Sequence, residues 1–458
     1  MSFVDSRYFL FLLAVVALTR AMPGARSQNA LLLGASLLFY GWGHPALVLL
    51  LVASVVVDWW AARAVQAGRR RALHVSLAVN LGILGVFKYL DLIVDSVARL
   101  LGQAGLPAFA WRPDIPLPPG VSFFTFQSMA YTLDVARGKL RARDSLVDVG
   151  AHVAAFPQLV AGPIERAGDL LPQLEKRRSA TLRDVEAGVG LLLWGLVQKL
   201  VVADSMALWV DAAFGDEQAA PVVVWAAVLG FMVQIFGDFS GYTDLARGSG
   251  RLLGIRLSAN FDRPFLAASP SEFWRRWHMT FSRWMHDYVY IPLGGSKKGS
   301  ARAVVAATLS LVLAGLWHGA AWNFAVWGLW FAVVWVLWRL GSGWVPVGLR
   351  KKGRVLGTLL TFSVVAVGML LFREPDIARA GAVLSAAPWS GTPEDLAVAS
   401  SMLGVALVGA GLLALGGAVM RREASAGPWV RGLFWALALS LVALYAGDGG
   451  RDFVYFRF

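Results

Sequence analysis

The chain has 458 residues, 57% of them hydrophobic and 16% charged, with a mean hydropathy of +0.60. That balance excludes an ordinary soluble enzyme and points to an all-α, polytopic integral membrane protein; the alternating segments of about ten residues that mark membrane β-barrels do not occur. The net charge of +13 is gathered in short basic clusters between apolar runs, a topology signal and not a nucleic-acid face, and the lack of cysteine removes a disulfide framework, a thiolate metal site and a cysteine nucleophile together.

Apolar runs fall at 8–19, 30–41, 45–62, 73–94, 121–136, 185–210, 221–246, 303–317, 320–340, 355–372, 398–420 and 430–446. They predict about ten to twelve membrane-embedded helices, with re-entrant and interfacial amphipathic pieces where a run is too short to cross a core of about 30 Å. The first run, Tyr8 to Leu18, is read as a retained helix, because Arg20 to Ala25 makes a poor cleavage site. Basic clusters follow at Arg69 to Arg71, Arg137 to Arg143, Lys176 to Arg178, Lys297-Lys298, Arg350 to Arg354 and Arg421-Arg422. Placing these in the cytoplasm puts both termini outside, and the loops at 211–218, 374–395 and 447–452, poor in Lys and Arg, agree. No soluble domain is inserted, so a single membrane domain, 1–458, is expected, with a core at about 120–340.

Polar residues interrupt this pattern at a few places. Phe156 to Arg166 carries two prolines and a glycine and cannot form one straight helix; it is either broken backbone satisfied by protein or a surface loop. Gln234 to Asp244 places two carboxylates at the end of a span, Asp244 where water reaches and Asp238 deeper, as a lining group in need of a partner. Ser269-Pro270-Ser271-Glu272 has the form of a capping box and predicts an amphipathic helix running to Pro292. On it Phe273, Trp274, Trp277, Phe281, Trp284, Met285 and Tyr288 form one aromatic stripe, with Arg275, Ser282 and His286 opposite and His278 at the border.

The remaining interruption lies in the greasiest stretch, Ala303 to Leu340. There Trp317-His318-Gly319 and Asn323 are almost the only polar groups in an otherwise apolar, Trp-rich segment. An ionisable group at membrane depth is costly and by default functional, although a hydrogen bond to a neighbouring helix would also account for it. Gly319 beside it would let a backbone or a substrate come close.

These residues resemble the membrane-bound O-acyltransferase family, in its bacterial branch of alginate O-acetylation and teichoic-acid D-alanylation proteins. The motifs are Ser36 to Pro45, Phe156 to Ile164, Phe239 to Asp244, Asn260 to Phe265, Glu272 to His278, Tyr290 to Gly295, Trp317-His318-Gly319 and the closing Phe453 to Phe458. The resemblance implies that His318 is catalytic and His278 the second essential position, within a fold of this family. One departure stands out: after Trp327-Gly328 the family pattern carries a further His-Gly, whereas this chain has Phe331-Ala332.

Acyl transfer from a thioester to an alcohol requires a base and a dry site. His318 is the candidate base, with Asn323, one helical turn or so beyond it, and Asp238 as assisting groups. Arg275, Arg276, Trp277 and Trp317 are candidates for donor binding. The expected donor, by resemblance, is acetyl-CoA or another acyl thioester from the cytosol, with no permanently bound cofactor. The expected acceptor is a hydroxyl of an extracytoplasmic polysaccharide or of a periplasmic partner protein, reached through a tunnel across the bacterial inner membrane. No metal site is expected: His278 and His286 are eight apart and diverge around a helix. A transporter lined by Asp238, Asp244, Glu165 and His318, or a scaffold for a periplasmic acetyltransferase, are the competing readings.

Overall fold

A computed structural model of the protein describes residues 3–43, 45–107, 115–342, 353–422, 428–445, 450–451 and 453–454. His44, residues 350–352 of the Arg350 to Arg354 cluster, most of the loop at 447–452 and the last four residues of the closing motif lie outside the described residues.

All regular structure among the described residues is helical. Among the described residues, eight helices are long and apolar enough to cross a membrane: Pro45–Gln66, Arg71–Gln103, Leu182–Gly215, Pro221–Leu252, Ser300–His318, Trp322–Gly341, Arg354–Arg373 and Pro393–Arg421. Trp429–Tyr445, Ser6–Ala21, Ala25–Gly41 and Val121–Ala136 are shorter apolar helices. Leucines and valines stand exposed along them, Leu407 at 73% and Val355 at 73%. A water-soluble protein does not present such faces; lipid covers them in this multi-pass membrane protein.

The chain divides into two compact units, Met1–Gly188 with Ala246–Ser258, and Val189–Leu245 with Ala259–Phe458.

In the first unit, Val121–Ala136 is buried almost all round. Its start needs a glycine: Gly120 has φ +72°, and a Cβ there would lie 2.5 Å from the Leu159 carbonyl oxygen. Phe156 to Arg166 is broken as predicted, with one short turn at Phe156–Leu159. It is not a surface loop, because Phe156, Leu159 and Ala161 are fully buried. Glu165 accepts from the Ser258 N–H and hydroxyl, and the Phe156 N–H donates to Ser36 Oγ, so protein groups satisfy the broken backbone.

In the second unit, Ser300–His318 and Trp322–Ser342 form a tight antiparallel hairpin. Their close approach is built on small residues: a Cβ at Gly315 would stand 2.0 Å from the Phe324 carbonyl oxygen. Leu182–Gly215 carries a π-helical segment at Val197–Ala203, the kind of bulge that re-aims side chains; it brings Lys199 into the interior.

The single amphipathic helix predicted from Pro270 to Pro292 is corrected by the structure. It stops after five residues, Pro270–Trp274, and resumes as Met279–Met285, continued by a π turn at His286–Tyr290. The break is at His278, which adopts the left-handed conformation with φ +40°. A distant segment stabilises it. Asn260 accepts the Met279 N–H at its carbonyl (2.9 Å) and the Thr280 hydroxyl and N–H at Oδ1 (2.6 and 3.3 Å), while the Asp262 N–H donates to the Arg276 carbonyl (3.0 Å). These bonds replace those a continuous helix would have made. The aromatic stripe itself is realised: Phe273, Trp277, Phe281, Trp284, Met285 and Tyr288 are buried, whereas Arg275, Arg283 and His286 are exposed.

Candidate active site

Both family-motif histidines belong to the second unit and come together there. His318 is the last residue of its helix, followed by extended Gly319. It is 4% exposed and His278 is 0% exposed. Their ring centroids are 6.4 Å apart, and Phe281 touches both, stacked on His278 at 4.9 Å and 5.5 Å from His318. Trp317 contacts both, at 5.1 Å from His318 and 5.8 Å from His278. Trp327 and Phe372 meet His318 edge-on, each at 5.3 Å, and Phe239 meets His278 edge-on at 4.6 Å. Aromatic rings thus pack against both imidazoles, and the two are almost wholly removed from solvent.

Neither ring nitrogen of His278 has a hydrogen-bond partner among the described residues, and the same holds for Asn323 Oδ1 and the indole N–H groups of Trp327 and Trp274. Buried polar atoms are normally paired, so several unpaired ones around one contiguous aromatic shell mark it as a place built for something beyond packing. An unpaired imidazole alone would not suffice, since His152 of the first unit is equally buried and unpaired. What sets His278 apart is the second imidazole in its shell and the left-handed backbone that puts it there.

The other candidates take different places. Asn323 is not a turn beyond His318 on one helix: the helix ends at His318 and Asn323 sits in the first turn of the next. Its amide donates to the carbonyls of Leu371 and Phe372, both at 3.3 Å, and so fixes the residue whose ring lies against His318. Gly319 accommodates the Phe324 ring, since a Cβ there would be 2.0 Å from Phe324 Cε2; the close neighbour is a side chain of the same hairpin.

Asp238 is 2% exposed and pairs with Lys199 at 2.9 Å, which also holds Asp204 at 2.7 Å. Its Oδ2 accepts the Val454 N–H. The neighbouring Arg451 joins Asp204 through its N–H and Asp211 through its guanidinium. This cluster anchors the start of the closing motif, whose Phe453 packs on Phe239, itself against His278. Asp244 accepts from Gln198.

Trp277 is buried among Phe273, Phe261 and Phe265, and Trp317 against Phe281 at 4.3 Å. Arg275 is exposed, and Arg276 pairs with Glu272 at 2.7 Å. Phe331, at the position of the departure noted above, is buried against Trp274 and Trp327. Among the described residues no three His, Asp or Glu side chains converge as metal ligands.

Sequence comparison decides the family. A model of the MBOAT, membrane-bound O-acyltransferase family matches residues 119–341. The chain is 36% identical over 383 residues to the probable alginate O-acetylase AlgI of Pseudomonas aeruginosa, covering 81% of this chain and 72% of that protein. This chain belongs to the membrane-bound O-acyltransferase family. It is also 31% identical to a peptidoglycan O-acetyltransferase of Helicobacter pylori, over 76% of this chain and 72% of the relative. A teichoic acid D-alanyltransferase of Streptococcus thermophilus is 27% identical, over 55% and 67%. The protein is an O-acyltransferase, and the matched segment contains His278, His318 and, of the rings about them, Phe239, Phe281, Trp317 and Trp327.

Sequence reasoning missed Asn260 as the clamp on the His278 bend, and Phe281 as the ring that both histidines share. Asn260 begins a motif already carrying the resemblance, which was the available signal.

Proposed function

We propose that this acyltransferase moves an acetyl group from acetyl-CoA across the bacterial cytoplasmic membrane to a hydroxyl of an extracytoplasmic polysaccharide, or of a periplasmic partner that completes the transfer, with both of its own termini outside. The observation that carries the reading is the imidazole pair about one aromatic ring, in a family whose relatives are named for acetylating alginate and peptidoglycan.

His318 takes the proton of the acceptor hydroxyl as its oxygen attacks the thioester carbonyl carbon. His278, with no other partner for its N–H, donates to the carbonyl oxygen as negative charge develops there. The C–S bond then breaks, and the thiolate receives the proton that His318 took. The new ester leaves towards the outer face and the thiol towards the cytosol. Arg275 and Arg276 attract the donor's phosphates, and Trp277 and Trp317 wall its acyl end. Asp238 supports the site through the closing motif and Phe239, and Asn323 through Phe372. At 4% exposure His318 meets substrate only when rings of its shell move, so the tunnel is a path that opens by side-chain rotation.

The test supplies radiolabelled acetyl-CoA to sealed inside-out vesicles containing the protein and its polymer. Label bound covalently to lumenal polysaccharide or partner protein is the expected result. Label that stays on the thioester, or polymer that crosses the membrane unmodified, refutes it.

A further inference from the structure

Among the described residues, Lys199 is the one lysine buried in the interior, at 1% exposure, and it is not one of the groups that handle the proton. The π-helical segment Val197–Ala203 turns it inward, where its ammonium lies 2.9 Å from Asp238 and 2.7 Å from Asp204. Burying three charges is expensive, and it is tolerated where the remaining lone pairs find donors. Here those donors belong to one segment. The Val454 N–H donates to Asp238 Oδ2 at 2.6 Å, and the Arg451 N–H to Asp204 Oδ2 at 3.1 Å. One cation therefore sets the spacing of two carboxylates, and the two carboxylates hold the main chain of the closing segment at two points.

From there the closing segment reaches both histidines. The Phe453 ring, fully buried, packs on Tyr242 at 4.5 Å and on Phe239 at 5.5 Å, and Phe239 covers His278 at 4.6 Å. The Arg451 guanidinium donates to Asp211 Oδ2 at 2.8 Å, and Asp211 Oδ1 accepts from Arg373 at 3.0 Å. The residue before Arg373 is Phe372, whose ring lies against His318. A cluster that only joined helices would spend its acceptors on helices. Instead each carboxylate gives an oxygen to a segment outside the long helices, and that segment packs towards the site.

We infer that Lys199 is a positioning residue of the acyltransferase. Through Asp238 and Asp204 it docks Arg451, Phe453 and Val454, and the docked segment keeps Phe239 on His278 and water off the imidazole. Water that reaches an activated carbonyl hydrolyses the thioester, so the dock favours transfer over release of the free acid. That consequence rests on the acetyl-CoA reading; the shielding of His278 does not.

The test is carbethoxylation of the chain in detergent by diethyl pyrocarbonate, followed at each histidine by peptide mass spectrometry. In the wild type the exposed His286 is expected to react and His278 to stay protected. Lys199→Met is expected to raise modification of His278 about tenfold, as loss of a charged hydrogen bond does for a local opening. His152, equally buried in the first unit, stays protected. Phe453→Ala leaves every charge in place and is expected to expose His278 likewise, and it serves where Lys199→Met does not fold. Together the two substitutions should expose it no more than one alone, because they act along one path. Protection of His278 in both variants, reaction of His278 and His152 together, or effects that multiply overturn the proposal. With radiolabelled acetyl-CoA, both variants should release free acetate at the expense of ester; an unchanged ratio beside an active wild type also overturns it. A wild type that turns over no acetyl-CoA, while His278 opens in the variants as expected, supports the dock and refutes the donor reading instead.

Discussion

Asp58 in the first unit and His278 in the second are both buried to 0% exposure, and their surroundings are opposites. Asp58 lies in the apolar helix Val48–Gln66, where an isolated carboxylate would ordinarily be taken as functional. Yet four side chains from two other helices converge on it. Ser76 and Asn80 reach it from one side, and Ser128 and Thr132 from the other, the last three at 2.6 Å. Its hydrogen-bonding capacity is filled, and its work is to join helices. His278 has rings about it and no hydrogen bond at either nitrogen. In a membrane interior, then, a fully satisfied polar group such as Asp58 is accounted for as a structural joint, whereas an unsatisfied one needs a second feature, here the neighbouring imidazole that His152 lacks, before chemistry is read into it.

Substitutions at the two places should therefore fail in different ways. His278→Phe removes imidazole chemistry but no hydrogen bond. We expect acyl transfer to fall by about a hundredfold or more, with a melting temperature in detergent within a few degrees of the wild type; equal loss of both would make His278 a packing residue. Asp58→Leu strips four donors of their acceptor and should cost about 3–5 kcal/mol, read as poor recovery and a lowered melting temperature, while transfer per folded molecule stays normal. Asp238→Ala leaves the buried Lys199 with one carboxylate in place of two. It is expected to cost about 3 kcal/mol and to speed proteolysis of the closing segment at Arg451.

Smaller effects refine the picture. Gly319→Ala puts a methyl into the Phe324 ring and should cost about 1–3 kcal/mol through overpacking, lowering transfer in proportion to folded protein. The mildest test is of pH. Burial pushes the Glu272 carboxyl up, but the Ala268 N–H and the guanidiniums of Arg354 and Arg276 outweigh it and hold the group below its ordinary 4.5. A depressed carboxyl contributes stability in full above pH 4.5 and loses it as pH falls through the folded-state value. Melting temperature should thus fall less steeply below pH 4.5 in Arg354→Gln than in the wild type.

Much of the architecture is legible in the chain. The apolar runs mark the helices, and all of the aromatic stripe but the half-buried Trp274 is buried. The break at His278 was not legible, because the groups replacing its helical hydrogen bonds come from Asn260 and Asp262, many residues upstream, and helical periodicity carries no trace of a partner so far away. Asp58 was passed over for the same reason: its donors lie on two other helices, and only their convergence gives it meaning. Asn323 looked like a neighbour of His318 on one helix because spacing alone does not reveal that the helix stops between them.

The assignment of His318 as the base stands or falls on the rate of radiolabelled acetyl transfer from acetyl-CoA to the acceptor by His318→Ala, normalised to protein that melts as the wild type does. The account predicts transfer reduced by at least about a hundredfold; transfer at the wild-type rate would contradict it.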